Sequence, residues 1–210
     1  MIRVLLALKP RMWLEAIAAI LSKDQDFQVV ATASNGLDVL QKVGETKTDV
    51  AVLSWYLPLL NGLETTRQIT ARSRQPAVIL IADSPEDRSN GHALRAGARA
   101  CLGTQSPLSD LPKVIRQVAG NGVFLGRGSD PVTAAAIQDR PLEPPERLTA
   151  RERQILQLIA EGHTNNDTAR VLGISAKTAD RHRTALMEKL DIHDVVNLTR
   201  YAVRQHVIEP

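Results

Sequence analysis

Short apolar runs alternate with amphipathic segments along the first 125 residues. Ile2–Leu8 (IRVLLAL) is an apolar run of strand length, suited to burial on both faces. The Ala/Ile/Leu-rich stretch Trp13–Ser22 reads as a helix and Phe27–Ala33 as a second strand. The alternation continues through Leu37–Val43 (helix), Val50–Ser54 (strand), Leu63–Arg72 (helix), Ala77–Ala82 (strand) and Arg88–Arg95 (helix). It ends with a short strand at Ala100–Leu102 and a helix over Leu108–Asn121. Five strands alternating with five helices predict an α/β domain, a five-stranded parallel sheet covered on both faces. Right-handed crossovers favour the strand order 2-1-3-4-5.

The pattern changes at Gly126. Pro131, Pro141, Pro144 and Pro145 interrupt residues 126–147, which argues against a continuous helix and for a semi-extended linker. Val132–Gln138 reads as a short helical piece within it. From Leu148 to Pro210 the pattern is helical throughout, a small all-α domain with clear start signals. Thr149 stands three residues before Glu152, the spacing at which each side chain caps an amide of the other. Thr164 and Asp167 repeat the spacing, and Ser175 supplies an N-cap before Lys177 and Thr178. Gly173 suits the left-handed end of a helix, with Ile174 placed to plug the core beneath the turn. Two helices joined by a short Gly-containing turn form a helix-turn-helix, whose second helix is offered to the DNA major groove.

That second helix is expected over about Ala176–Leu190. Helical spacing puts Thr178, Arg181, Ala185 and Lys189 on one side, with Ala179, Leu186 and Leu190 on the side that packs inward. Candidate phosphate and base contacts are Lys177, Arg181, Arg183 and Lys189, supplemented by Thr178 and His182. Thr164, Asn165, Asn166 and Ser175, at the two helix starts, complete the DNA-facing set. Charge alone decides little, because residues 148–210 hold nine Lys/Arg against eight Asp/Glu.

The whole chain of 210 residues has a formal charge of +3, which permits nucleic-acid binding without demanding it. At 43% hydrophobic it has enough apolar residues for real cores. A single cysteine, Cys101, excludes an intramolecular disulfide or a thiolate zinc site and reads as a small buried hydrophobe. His92, His163, His193 and His206 show no ligand spacing and read as surface or capping residues. Apolar runs are short and interrupted by charge, so no membrane span or signal peptide is expected, and the reading is cytoplasmic.

Two resemblances sharpen this. LTARERQIL, the IAEG turn, TNNDTARVLGIS and KTADRHRTALMEKL resemble the LuxR-type (NarL/FixJ class) DNA-binding domain over some sixty residues without a gap. Asp180 departs from it, standing where several relatives place Lys; it accepts from cytosine or merely removes a phosphate contact. The first 125 residues resemble a flavodoxin-like response-regulator receiver through IRVLLALKP, DVAVLSWYLPLLNGLE, ALRAGARACL and the Pro58/Gly62 spacing. Receivers of this kind catalyse their own phosphorylation with an Asp nucleophile, an acidic pair for Mg²⁺, a hydroxyl and a Lys. Placed on this sequence, the nucleophile position is Ser54, the acidic pair Leu8 and Lys9, the hydroxyl position Ala82 and the Lys position Thr104. Magnesium needs oxygen ligands, which Leu8 and Lys9 do not offer. The resemblance therefore implies a pseudoreceiver without metal, cofactor or catalytic residues.

The expected function is a DNA-binding transcriptional regulator acting independently of aspartyl phosphorylation, with double-stranded promoter half-sites as partner. The resemblance implies a homodimer and gives the last helix, about Asp194–His206, as its surface on DNA. A small-molecule or protein effector at the receiver is the natural replacement for phosphate. Trp55-Tyr56 would close the altered pocket or offer it a stacking surface, and the Lys9 ammonium would either hydrogen-bond Ser54 or extend into water. Two rivals stand beside this reading: a regulator phosphorylated on a different acceptor such as Ser54, and a partner-sequestering module that binds DNA weakly.

Overall fold

The computed structural model describes residues 1–72, 76–83, 87–125 and 148–209, which belong to two compact units. The expected linker, residues 126–147, and the helical piece at Val132–Gln138 lie outside the described residues.

In the first unit, strands β1 (Ile2–Ala7), β2 (Phe27–Thr32), β3 (Val50–Ser54), β4 (Ala77–Ala82), β5 (Ala100–Gly103) and β6 (Phe124–Leu125) form one parallel sheet in the order β2-β1-β3-β4-β5-β6. Helices α1 (Arg11–Leu21), α2 (Gly36–Glu45), α3 (Gly62–Arg72), α4 (Asp87–Arg95) and α5 (Leu111–Ala119) connect them. The expected 2-1-3-4-5 order is present, extended by the two-residue β6 on the edge of β5. The period of two sorts each strand between two cores. Val4, Leu6, Val52, Ile79 and Leu102 pack on one face with Ile17, Leu21, Val114, Ile115 and Val118. Leu5, Ala7, Leu53, Val78, Leu80 and Cys101 pack on the other with Val39, Ile69 and Ala93.

The expected helix Leu108–Asn121 is corrected in its first turn. Leu108–Asp110 is a turn of 3-10 helix, and α5 begins only at Leu111. Pro112 explains this, since it lacks an N–H and is tolerated at a helix start but not five residues in. Gly62, at the head of α3, lies against the end of β3. A Cβ there would sit 2.2 Å from the Ser54 carbonyl oxygen, so the close approach of helix to strand requires glycine. Below the sheet, the Arg116 guanidinium lies 4.7 Å above the Phe27 ring and pairs with Asp24 and Asp26, fixing α5 to the start of β2.

The second unit holds α6 (Ala150–Ala160), α7 (Asn165–Leu172), α8 (Ala176–Leu190) and α9 (Val195–Arg204). Its core joins Leu148, Ile155, Leu156, Ile159, Leu186, Leu198, Ala202 and Val207. No described helix is long and apolar enough to cross a membrane.

Candidate functional site

Three caps build the helix-turn-helix. The Thr149 Oγ1 accepts from the Glu152 amide at 3.2 Å, and Glu152 accepts from the Thr149 amide at 2.7 Å. At the start of α7, Thr164 and Asp167 make the same reciprocal pair at 3.1 and 3.3 Å. Hydrogen bonds from the Thr164 hydroxyl and amide hold the Asp167 carboxyl below the ordinary carboxylate range. Gly173 ends α7 in the left-handed conformation, at φ 63°, and the Ile174 amide returns to the Ala169 carbonyl at 3.0 Å. Ser175 Oγ then accepts from the Thr178 amide at 3.1 Å and starts α8. Arg151 reaches across from α6 and donates to the Leu172 carbonyl at 2.9 Å, satisfying an orphan group at the end of α7.

Helix α8 turns Ala179 and Leu186 inward as the spacing requires, with Leu190 half-buried. Its exposed strip carries Lys177, Asp180, Arg181, Thr184, Ala185 and Glu188. Within the DNA-facing set, Thr164, Asn166, Ser175, Lys177, Arg181 and Lys189 are exposed, while Asn165, Thr178, His182 and Arg183 are half-buried. Several members also have partners within the unit. Arg183 donates to Asn165 Oδ1 at 3.2 Å, and Lys189 pairs with Glu152 at 2.9 Å. Thr164 and Ser175 serve as caps, and the Ser175 and Thr178 hydroxyls lie 2.8 Å apart. Lys177 and Arg181 are thus the cations of α8 best placed for an anionic ligand.

At the carboxyl ends of the strands in the first unit, Ser54 closes β3 and is only 8% exposed. Its Oγ accepts from the Lys9 backbone amide at 2.9 Å and donates to the Lys9 carbonyl at 3.4 Å. This corrects the idea of an ammonium bound to Ser54, because Lys9 makes the contact through its backbone and is itself exposed. Parallel pairing of Ala7 with Leu53 brings the two chain segments side by side. Leu8 is 5% exposed and belongs to the core on the α1 and α5 side. Ala82 is buried at the end of β4, and the Thr104 hydroxyl donates to the Asp83 carbonyl at 3.2 Å. Trp55 is 5% exposed within the opposite core, which removes it as a stacking surface; Tyr56 is half-buried.

A family model described as "Response regulator receiver domain" matches residues 6–116, and one described as "Bacterial regulatory proteins, luxR family" matches residues 146–202. The chain belongs to the LuxR-type response regulators. Among its relatives is the transcriptional regulatory protein LiaR of Bacillus subtilis, 30% identical over 99% of this chain and 100% of LiaR. The response regulator protein VraR of Staphylococcus aureus is 28% identical over 92% of each chain. Among solved structures, RcsB from Salmonella enterica serovar Typhimurium, bound to promoter rprA with a phosphomimetic, superposes with a TM-score of 0.60. It covers 95% of this chain and 97% of its own at 17% identity, a likeness of fold. Like its relatives, this response regulator is a transcriptional regulator rather than an enzyme.

In the receiver, Cys101 is buried in β5 as the sequence suggests, and burial pushes its thiol up to about 12. The folded state therefore favours the protonated thiol. This contribution to stability is intact below the unfolded thiol value and is lost as pH rises toward the folded one. At a pH of about 8, a disulfide reagent is expected to leave the native response regulator unmodified and to label it rapidly in urea. Labelling of the native protein at the unfolded rate would contradict the burial. In the LuxR-type domain, the link from Asn165 to Asp180 and Arg183 escaped the sequence reading, because it joins residues 15 and 18 apart across a turn.

Proposed function

We propose that this response regulator binds promoter DNA as a homodimer and does so without aspartyl phosphorylation. The observation that carries the second half is the Ser54 hydroxyl, a neutral oxygen already bonded to the Lys9 backbone where a receiver needs a free carboxylate. The residues present do not fit a magnesium ion. Leu8 offers a buried methyl-bearing side chain, Lys9 a cation, and Ser54 a single neutral oxygen. No phosphoryl step is routed through such a metal. Control of the regulator then falls to an effector or partner of the receiver, or to its own abundance.

DNA binding is supported by the capped helix-turn-helix and by the exposed Lys177 and Arg181 on α8. Arg181 is suited to guanine by two parallel hydrogen bonds, and Lys177 to phosphate as a point charge. RcsB, of the same fold, is bound to a promoter in its solved structure, which supports the same arrangement here. A homodimer on half-sites centred about 10 base pairs apart is the matching geometry. Val195 and Val196, the latter 62% exposed, open the first turn of α9 and support a dimer surface there.

The test is titration of untreated, full-length protein onto a promoter fragment at several salt concentrations. Affinity is expected to fall roughly a thousandfold between about 50 and about 200 mM salt, as for about six phosphate contacts in a dimer. Binding insensitive to salt, or appearing only after a phosphodonor is added, would overturn the reading.

A further inference from the structure

The exposed strip of α8 carries one acidic side chain near Arg181 whose position the protein fixes before any ligand arrives. Arg183 has only donors, so its contact at 3.2 Å obliges Asn165 to present Oδ1 to it. The amide nitrogen of Asn165 must then face the other way, where it donates to Asp180 Oδ1 at 2.8 Å. A carboxylate accepts only, so neither contact survives reversal of the amide. The link runs from α8 to the first residue of α7 and back to α8. Asp180 remains exposed, beside Arg181 and one turn from Lys177 and Thr184.

We propose that Asp180 is a specificity-determining residue of the recognition helix: a braced carboxylate that accepts from the exocyclic amino group of one base and rejects a base offering only acceptors there. The inference rests on the DNA-binding reading above. In the major groove, cytosine N4 and adenine N6 donate, whereas guanine O6 and N7 and thymine O4 accept. An unbraced aspartate would swing away from the phosphates and lose rotamer freedom on returning to a base. The Asn165 contact holds one oxygen in place beforehand, and the other keeps its acceptor capacity. Negative charge on this strip weakens every complex through phosphate repulsion, and only a facing amino group compensates. The residue thus converts a general penalty into discrimination between bases.

Full-length wild-type protein and its Asp180→Asn and Asn165→Ala variants would be used to select from duplexes with randomised half-sites, followed by competition titrations. Wild type is expected to favour cytosine or adenine over guanine and thymine at one position by roughly five- to a hundredfold. Which of the two is enriched tells the N4 donor from the N6 donor. The Asp180→Asn side chain still accepts from Asn165 but turns an amino group outward, so preference at that position is expected to move to guanine or thymine. Asn165→Ala should keep the wild-type base while flattening its advantage. Thermal melts confirm that each variant is folded. Unchanged preference in Asp180→Asn, with only a lower melting temperature, would make Asp180 a brace and overturn the proposal. Failure of wild type to select any DNA would instead overturn the DNA-binding reading, and the proposal with it.

Discussion

Incubation with acetyl phosphate and magnesium is expected to leave the mass of this response regulator unchanged, and Ser54→Asp alone is expected not to restore phosphorylation. Transfer to a receiver carboxylate depends on a metal that neutralises the incoming phosphoryl oxygens, and that metal needs carboxylates from the end of β1. Here that segment supplies Leu8, turned into the apolar core, and the backbone of Lys9, already bonded to Ser54. An aspartate at position 54 would inherit the Lys9 amide as a donor but no metal beside it. As for Ser54 itself, its hydroxyl is nearly buried and bonded to the Lys9 backbone. A serine attacks only when a base removes its proton, and here the proton points to a carbonyl oxygen, which is no base. Intact-mass measurement decides the matter. Gain of one phosphoryl group by wild type, lost in Ser54→Ala, would establish the hydroxyl as an acceptor and end the phosphorylation-independent reading. A gain by Ser54→Asp would show that the cradle still assembles without its acidic pair.

Much of the fold was legible because local chemistry and long-range packing agree. Val50–Ser54 and Ala77–Ala82 are apolar runs of strand length, and both strands have those bounds. The three N-caps followed from spacing, since a cap bonds to an amide three residues on and needs nothing from elsewhere. What escaped depends on chain segments far apart. Phe124–Leu125 is too short to show any period and becomes a strand only through pairing with β5. From the sequence, Lys9 either bonds Ser54 through its ammonium or extends into water; the side chain is exposed and the partner of Ser54 is the Lys9 backbone amide. Every residue carries such an amide, so only the register of β1 against β3 reveals it. Likewise Arg183 and Lys189 look like free cations in sequence, and only folding hands them to Asn165 and Glu152. Of the basic DNA-facing set, Lys177, Arg181 and Lys189 are exposed, Lys189 beside Glu152, while Arg183 is half-buried against Asn165.

Truncation of Leu186 to alanine should cost the LuxR-type domain about 2–5 kcal/mol and weaken promoter binding, as the emptied core lets α8 shift. Leu186 is fully buried on the inner face of α8, in the core that also holds Ile155, Leu156, Leu198 and Ala202. Its removal subtracts apolar burial and leaves a cavity that neighbours on three helices cannot close without moving α8. A unit of this size buries a modest share of its surface, and small domains have only about 5–15 kcal/mol to lose. Seating of the recognition helix and presentation of Lys177 and Arg181 are the same event, so loss of stability and loss of binding should appear together. Leu186→Met is the control, because it keeps the volume and should cost under about 1.5 kcal/mol while retaining affinity. Both tryptophans, Trp13 and Trp55, lie in the receiver, so their fluorescence is blind to this core. Urea unfolding followed by far-ultraviolet circular dichroism, alongside promoter titration, reads the effect. An alanine variant as stable as the methionine one, or one that binds DNA at wild-type affinity, would mean that α8 is held by its caps rather than by the core beneath it.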